Sequence, residues 1–377
     1  MQNGISIYPG LDNSLEENLQ LIDTAAQKGI TRLFTSFHIP ETNKRVFKEE
    51  VGIILKAARQ SGMEIISDIS PQTMELLGME KFSLSAFQFL GIHTLRLDYG
   101  YGIEEIAALS KNSQHIRIQL NASTITGRQL TALLQAKADF SQLDALHNFY
   151  PREGTGLSEE TLVRKTAMLH KAGIRVGAFI PSQHRCRSPL RCGLPSLEMH
   201  RGRTVSLAAR HLAAIGMDSI FIGDSLPSDS EMDILQTLAP DQVTLRVQLL
   251  TKDPVQQALL SHAFTARLDE ARDAVRAQES RQLLQGQKIQ PENTKIRSHG
   301  TVTIDNMGYQ RYMGELQIIK RPQPADERCN VAAKIPDDEA FLINYIIPGR
   351  KFAFEFSPQT ENDLKKSSKD ACYDETT

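Results

Sequence analysis

The sequence predicts an α/β protein in two parts, a (β/α)8 barrel over residues 1–240 followed by a small β domain over 241–356. Three observations carry this. Five helical stretches end in Gly, then an aliphatic or Met residue, then a short β-rich run: AAQKGITRLFTSFH, ARQSGMEIISDIS, FQFLGIHTLRLDYG, LHKAGIRVGAFIPS and LAAIGMDSIFIGDS. Those β-rich runs are near-continuous Ile, Leu, Val and Phe, as in parallel strands buried on both faces. After Pro240 the pattern changes to alternation with period two, the mark of half-buried antiparallel strands.

Taken in order, the strands fall at 4–8, 32–37, 64–69, 94–99, 116–121, 143–148, 175–180 and 219–223. Ser14 and Glu17 have capping-box spacing, and Leu15, Leu19, Ile22 and Ala26 trace one helical face. Similar patterns place helices near 45–60, 126–137, 158–172 and 203–215, with shorter ones within 71–90 and 102–109. Gly29, Gly62, Gly91, Gly173 and Gly216 are the expected helix stops. A doubly wound open sheet would place a Gly-rich phosphate loop after the first strand; Tyr8-Pro9-Gly10 stands there instead. Beyond Pro240, DQVTLRVQLLT reads as a strand and 253–285 as a charged helical stretch. TVTI, ELQIIK, NVAAKI, FLINYIIP and KFAFEF then read as strands of a small closed antiparallel barrel. The polar segment 357–377 reads as a disordered tail.

With 45 acidic and 43 basic residues among 377, the net charge is −2, so neither nucleic acid nor an anionic membrane is an expected partner. No apolar run approaches the roughly 20 residues of a membrane span. Met1-Gln2-Asn3-Gly4 leads directly into a strand, without a signal-peptide pattern, and the expected location is cytoplasmic. Cys186, Cys192, Cys329 and Cys372 lack CxxC spacing and read as free thiols. The chain has no Trp, so any sugar-stacking face falls to Tyr and Phe.

Parallel barrels carry their chemistry at the carboxyl ends of the strands. There the chain offers Asp68 and Asp98 on neighbouring strands, Asn121, and the polar run from His147 to Arg152. Strands about 5 Å apart let two carboxylates share one pocket, which suits an acid and a nucleophile or base in glycoside hydrolysis. The plainer reading of either Asp is a helix cap or a partner for an arginine such as Arg96. No strand ends in Lys, which argues against a Schiff-base aldolase. A metal-dependent hydrolase or isomerase would draw on His38, Asp68, His147 and Asp224; no metal or other cofactor is expected. The loop PSQHRCRSPLRCGLPSLEMHRGR carries Arg185, Arg187, Arg191, Arg201 and Arg203, side chains suited to grasping phosphate, or simply a solvated basic loop.

These segments resemble the 6-phospho-N-acetylmuramidase family, formerly known as uncharacterised "outer surface proteins". The likeness runs from about Gly4 to Phe356 and rests on ISIYPG, IISDIS, LRLDYG, IQLNAS, LHNFYPREGTGLS, GLPSLEMHR, TIDNMGYQRYMGELQI and PADERCNVAAKI. It implies a barrel followed by a cyclophilin-like β domain. It also implies a cytoplasmic glycosidase of peptidoglycan recycling, cleaving N-acetylmuramic acid 6-phosphate β-linked to N-acetylglucosamine. Carried over by position, Asp68 and Asp98 become catalytic candidates. Asn121, His147, Asn148, Tyr150, Glu198, His200 and Arg201 become substrate-binding candidates. Arg152, where the chain departs from the family, is added from the polar rim, and Tyr312 of the second domain reads either as an ordinary turn residue or as a sugar-stacking one. The basic, Cys-bearing RCRSPLRC departs from the family's pattern. The alternatives are a metal-dependent phosphosugar hydrolase or isomerase and a non-catalytic sugar-phosphate-binding protein. Oligomeric state is left open.

Overall fold

The structure, a computed structural model, describes residues 1–37, 39–69, 73–77, 82–97 and 100–357. His38, Asp98, Tyr99, Cys372, parts of 71–90 and nearly all of the segment read as a tail lie outside the described residues. The chain divides into two compact units, Met1–Pro240 and Asp241–Thr377.

The first unit is a closed parallel barrel, as the alternation of helices and apolar runs predicts. Its strands are β1 (Gly4–Ser6), β2 (Arg32–Ser36), β3 (Glu64–Ile69), β4 (Thr94–Leu97), β5 (Arg117–Asn121), β6 (Leu143–Leu146), β7 (Arg175–Ile180) and β8 (Ser219–Ile222), with β1 pairing β8. Around them run α1 (Leu15–Gln27), α2 (Lys44–Gln60), α3 (Thr73–Leu76), α4 (Leu84–Phe89), α5 (Ile103–Leu109), α6 (Gly127–Gln135), α7 (Glu159–Lys171), α8 (Val205–Ile215) and α9 (Asp229–Thr237). Ser14 and Glu17 form the expected capping box. All five stop glycines have left-handed backbone, φ between 70° and 96°.

The strand faces that point outward bury Ile5, Leu33, Ile65, Leu95, Ile118 and Val176 against the helices. Inward-pointing Phe34, Ile66, Leu146, Phe179 and Phe221 fill the lumen. At the amino ends of the strands the lumen closes on a buried ion pair. Arg32 Nη2 lies 3.2 Å from Asp144 Oδ2 and 3.0 Å from Glu64 Oε1. Burial raises the carboxyl pKa of Asp144 despite the adjacent guanidinium, so desolvation outweighs the attraction there.

The second unit is a curled mixed sheet. Its strands are β9 (Gln242–Leu249), β10 (Phe264–Thr265), β11 (Ala274–Arg276), β12 (Thr301–Asp305), β13 (Leu316–Ile319), β14 (Cys329–Lys334) and β15 (Lys351–Phe356), in the order β10-β15-β9-β14-β12-β13-β11. The β9–β15 pair is parallel, so the sheet is not the purely antiparallel one expected. Its edge strands meet through one bridge, Ala266 to Ala277. The helical reading of 253–285 holds only for α10 (Pro254–Leu260) and α11 (Ser280–Leu283). Helix-favouring composition yields there to tertiary packing: Phe264 is buried against Phe352 at 5.5 Å between ring centroids, which fixes an extended edge strand. FLINYIIP is not a strand either. Ala340–Tyr345 is 3-10 helix, and the three-residue spacing of Ala340, Ile343 and Ile346 faces the core.

Candidate active site

A cavity of about 330 Å³ opens at the carboxyl ends of the barrel strands. Phe34 and Ser36 reach it from β2, Asp68 from β3, Arg96 from β4 and Phe179 from β7. Loops after β2, β6 and β7 add Ile39, Pro40, Glu41, Asn148, Phe149 and Arg187. The strand register explains the polar row: Ser36 pairs with Asp68, and Asp68 with Arg96. In-register residues of parallel neighbours share a face, so the three stand side by side.

Asp68 is 6% exposed, and its Oδ1 accepts from Arg96 Nη1 at 2.7 Å. Arg96 Nη2 also donates to Asn148 Oδ1. The arginine partner foreseen for Asp68 is therefore present, but the pair lines the cavity instead of being sealed away from it. The neighbouring guanidinium favours the charged carboxylate. Asp98 lies outside the described residues; among the described residues, Arg96 pairs with Asp68.

His147 and Asn148 part company. His147 is fully buried, with Nε2 3.1 Å from Thr166 Oγ1 and Nδ1 3.3 Å from Ser123 Oγ. Burial, with Lys165 and Arg96 nearby, depresses its pKa to about 3, which keeps the imidazole neutral. Ser123 Oγ in turn accepts the Asn148 backbone N–H at 2.8 Å. His147 thus positions the residue that holds Arg96. Asn121 supports the same corner by accepting from Ser123 N at 3.1 Å.

Glu198 and Arg201 form a clamp between two loops. Glu198 accepts Gly154 N at 2.8 Å, Gly156 N at 2.7 Å and Arg201 Nε at 2.7 Å; Arg201 and the two amides hold its carboxyl at about 2. Arg201 also donates to the carbonyls of Tyr150, Arg152, Cys192 and Gly193. A Cβ on Gly156 would come within 2.5 Å of Glu198 Oε2, which accounts for glycine in the TGL motif. His200 is buried against His211, with Nε2 and Nδ1 2.9 Å apart. Glu198, His200 and Arg201 serve loop geometry and do not line the cavity, and Tyr150 and Arg152 contribute carbonyls to the clamp. Tyr312 lies in the second unit, where the Arg281 and Arg311 guanidinium groups sit 5.7 and 4.8 Å from its ring centroid.

Sequence reasoning passed over Phe149 and Glu41. Phe149 stands within HNFYP and packs edge-on to Phe179 (5.0 Å), Phe34 (6.0 Å) and Tyr8 (6.4 Å), giving the cavity an aromatic floor. Asp224 is buried and binds Ser182 N, Arg187 N and Leu194 N at 2.8, 2.9 and 3.2 Å. It fastens the arginine loop to β8. Among the described residues no three His, Cys, Asp or Glu side chains cluster to hold a metal, and Asp68, His147 and Asp224 have separate partners.

Family models described as 6-phospho-N-acetylmuramidase, N-terminal and C-terminal, match residues 3–237 and 243–355. The chain belongs to the 6-phospho-N-acetylmuramidase family. That membership makes it a glycosidase-family enzyme, in keeping with a carboxylate over an aromatic floor. Two solved structures are similar along nearly the whole chain. One is an uncharacterised Bacillus cereus protein, 30% identical, with TM-score 0.83, covering 94% of this chain and 99% of that one. The other is a conserved Enterococcus faecalis protein of unknown function, 33% identical, with TM-score 0.69, covering 98% and 100%. No curated protein matches the chain. Among the described residues, no helix is long and apolar enough to cross a membrane.

Proposed function

We propose that this enzyme hydrolyses the β-linkage between N-acetylmuramic acid 6-phosphate and N-acetylglucosamine, as a cytoplasmic step of peptidoglycan recycling. The observation that carries the reading is Asp68, a cavity carboxylate ion-paired with Arg96, beside aromatic faces that suit a sugar ring. A carboxylate facing a guanidinium favours its ionised form and is a poor donor of the proton that the leaving oxygen needs. Asp68 therefore stabilises the oxocarbenium-like centre, as nucleophile or by orienting the substrate's 2-acetamido group. The proton donor falls to Asp98, with Glu41 on the cavity wall as the second acid. Asn148 holds Arg96, and His147 holds Asn148. The test is incubation with the phosphorylated disaccharide and mass spectrometry of the products. Two monosaccharides, one still phosphorylated, support the reading, and an intact disaccharide refutes it. NMR of the nascent anomer separates retention from inversion.

A further inference from the structure

Of the five arginines in the loop after β7, four are committed elsewhere or turned outward. Arg185 Nη1 donates to Glu17 and Asn13 at 2.8 and 3.2 Å, Arg201 is the clamp, and Arg191 and Arg203 are exposed. Arg187 differs. It is 8% exposed and lines the cavity. Its guanidinium carbon sits 4.9 Å from the ring centroids of both Tyr8 and Phe149, in the corner between two nearly perpendicular rings. Its Nε and Nη1 are buried and without a hydrogen-bond partner among the described residues. The nearby Asp224 carboxylate is already taken by three backbone amides, that of Arg187 among them. The two rings stabilise the cation but accept nothing from its N–H groups in their plane. A desolvated, rigidly mounted guanidinium of this kind is incomplete without an anionic oxygen ligand.

We infer that Arg187 is the anion seat of the cavity and takes the phosphate of the substrate. The inference rests on the proposed substrate, which carries two anions, the 6-phosphate and the lactyl carboxylate. The phosphate is the better match, because its charge approaches −2 and it offers three acceptor oxygens. Arg187 would then determine specificity for phosphorylated over unphosphorylated glycans.

The test compares kcat/KM on three disaccharides: the phosphorylated muramyl compound, its dephosphorylated form, and a phosphorylated analogue lacking the lactyl group. For Arg187→Met, the ratio of phosphorylated to dephosphorylated turnover should fall about 100-fold, the worth of one or two charge-assisted hydrogen bonds. Arg187→Lys, which keeps the charge without the planar fork, should lose about tenfold and decides the matter if the Met variant does not fold. An unchanged ratio, with both activities falling together, would show a merely structural arginine and overturn the inference. A variant that instead loses discrimination between lactyl-bearing and lactyl-free substrates would assign the seat to the carboxylate and overturn it equally. If the wild-type enzyme cleaves none of the three, the proposed reaction fails by itself. Calorimetric binding of N-acetylmuramic acid 6-phosphate to the wild type and Arg187→Lys still decides the seat, by a roughly tenfold weaker Kd or none.

Discussion

Replacing Asp68 by Asn keeps the shape of the side chain and removes its charge beside Arg96. Two unit charges about 4 Å apart at an effective dielectric near 20 interact by about 4 kcal/mol. The same estimate applies to a carboxylate beside a developing oxocarbenium centre, and 4 kcal/mol corresponds to a roughly thousandfold loss in kcat. Arg96, still held by Asn148, would lose the Asp68 charge that faces it, which adds adverse positive charge near that centre. The expected loss is therefore at least about 1000-fold. The assay is release of monosaccharide from the natural disaccharide, repeated with an aryl leaving group that departs without protonation. Because Asp68 is assigned to charge stabilisation, Asp68→Asn should be equally poor on both substrates. The proton donor's variant, Asp98→Asn or Glu41→Gln, should recover on the aryl substrate. Recovery of Asp68→Asn with the aryl leaving group would make Asp68 the acid and refute the role that Arg96 implies. A loss under tenfold would remove it from the chemistry, as the sugar-phosphate-binding alternative requires.

Three further outcomes follow from the same geometry. His147, His200 and His211 are buried, with pKa values pushed to about 3, well below normal and about 4. Below pH 6.5 the unfolded chain binds protons that the folded one refuses, so each should cost about 2 kcal/mol of stability at pH 5 relative to neutrality. Melting followed by circular dichroism from pH 8 to 4 tests this, and a flat profile above pH 5 would contradict it. Asp144→Ala leaves Arg32 with Glu64 as its remaining carboxylate among the described residues and should cost about 3 kcal/mol, or some 6–12 °C in Tm. Pairing it with Arg32→Met should restore more than half, and no restoration would show that the loss came from packing. Glu198→Ala frees two loop amides and Arg201; KM should rise about tenfold or more with a smaller change in kcat. A pure kcat effect would instead place Glu198 at the reacting bond.

The barrel was legible because its signals are local and repeated. Each stop glycine marks a helix end that needs left-handed backbone, and each following strand is apolar enough to be buried on both faces. The second unit was harder. The 253–285 segment has helical composition, yet its extended edge is decided by Phe264 meeting Phe352 almost ninety residues away. No local periodicity reports such a contact. The site was legible as a place and less so as a set of roles. HNFYP marks a rim, but the motif does not say that His147 turns inward to Thr166 while Phe149 floors the cavity. GLPSLEMHR marks Glu198 and Arg201, but only the structure shows them spending their hydrogen bonds on Gly154, Gly156 and loop carbonyls.

The division between binding and positioning residues has a physical cause. Glu198 and Arg201 saturate each other and the backbone, so neither has bonding capacity to offer a substrate. Arg96 is shared between a carboxylate and an amide, so it can tune Asp68 but is poorly placed to seize a phosphate as well. Arg187 is mounted on aromatic rings that fix its position while its Nε and Nη1 have no hydrogen-bond partner among the described residues, and its loop is tied to β8 through Asp224. Abundance of arginine in the loop after β7 therefore says little about which one meets the substrate. What distinguishes Arg187 is unmet hydrogen-bonding demand in a buried place, and a ligand anion is the group that meets it.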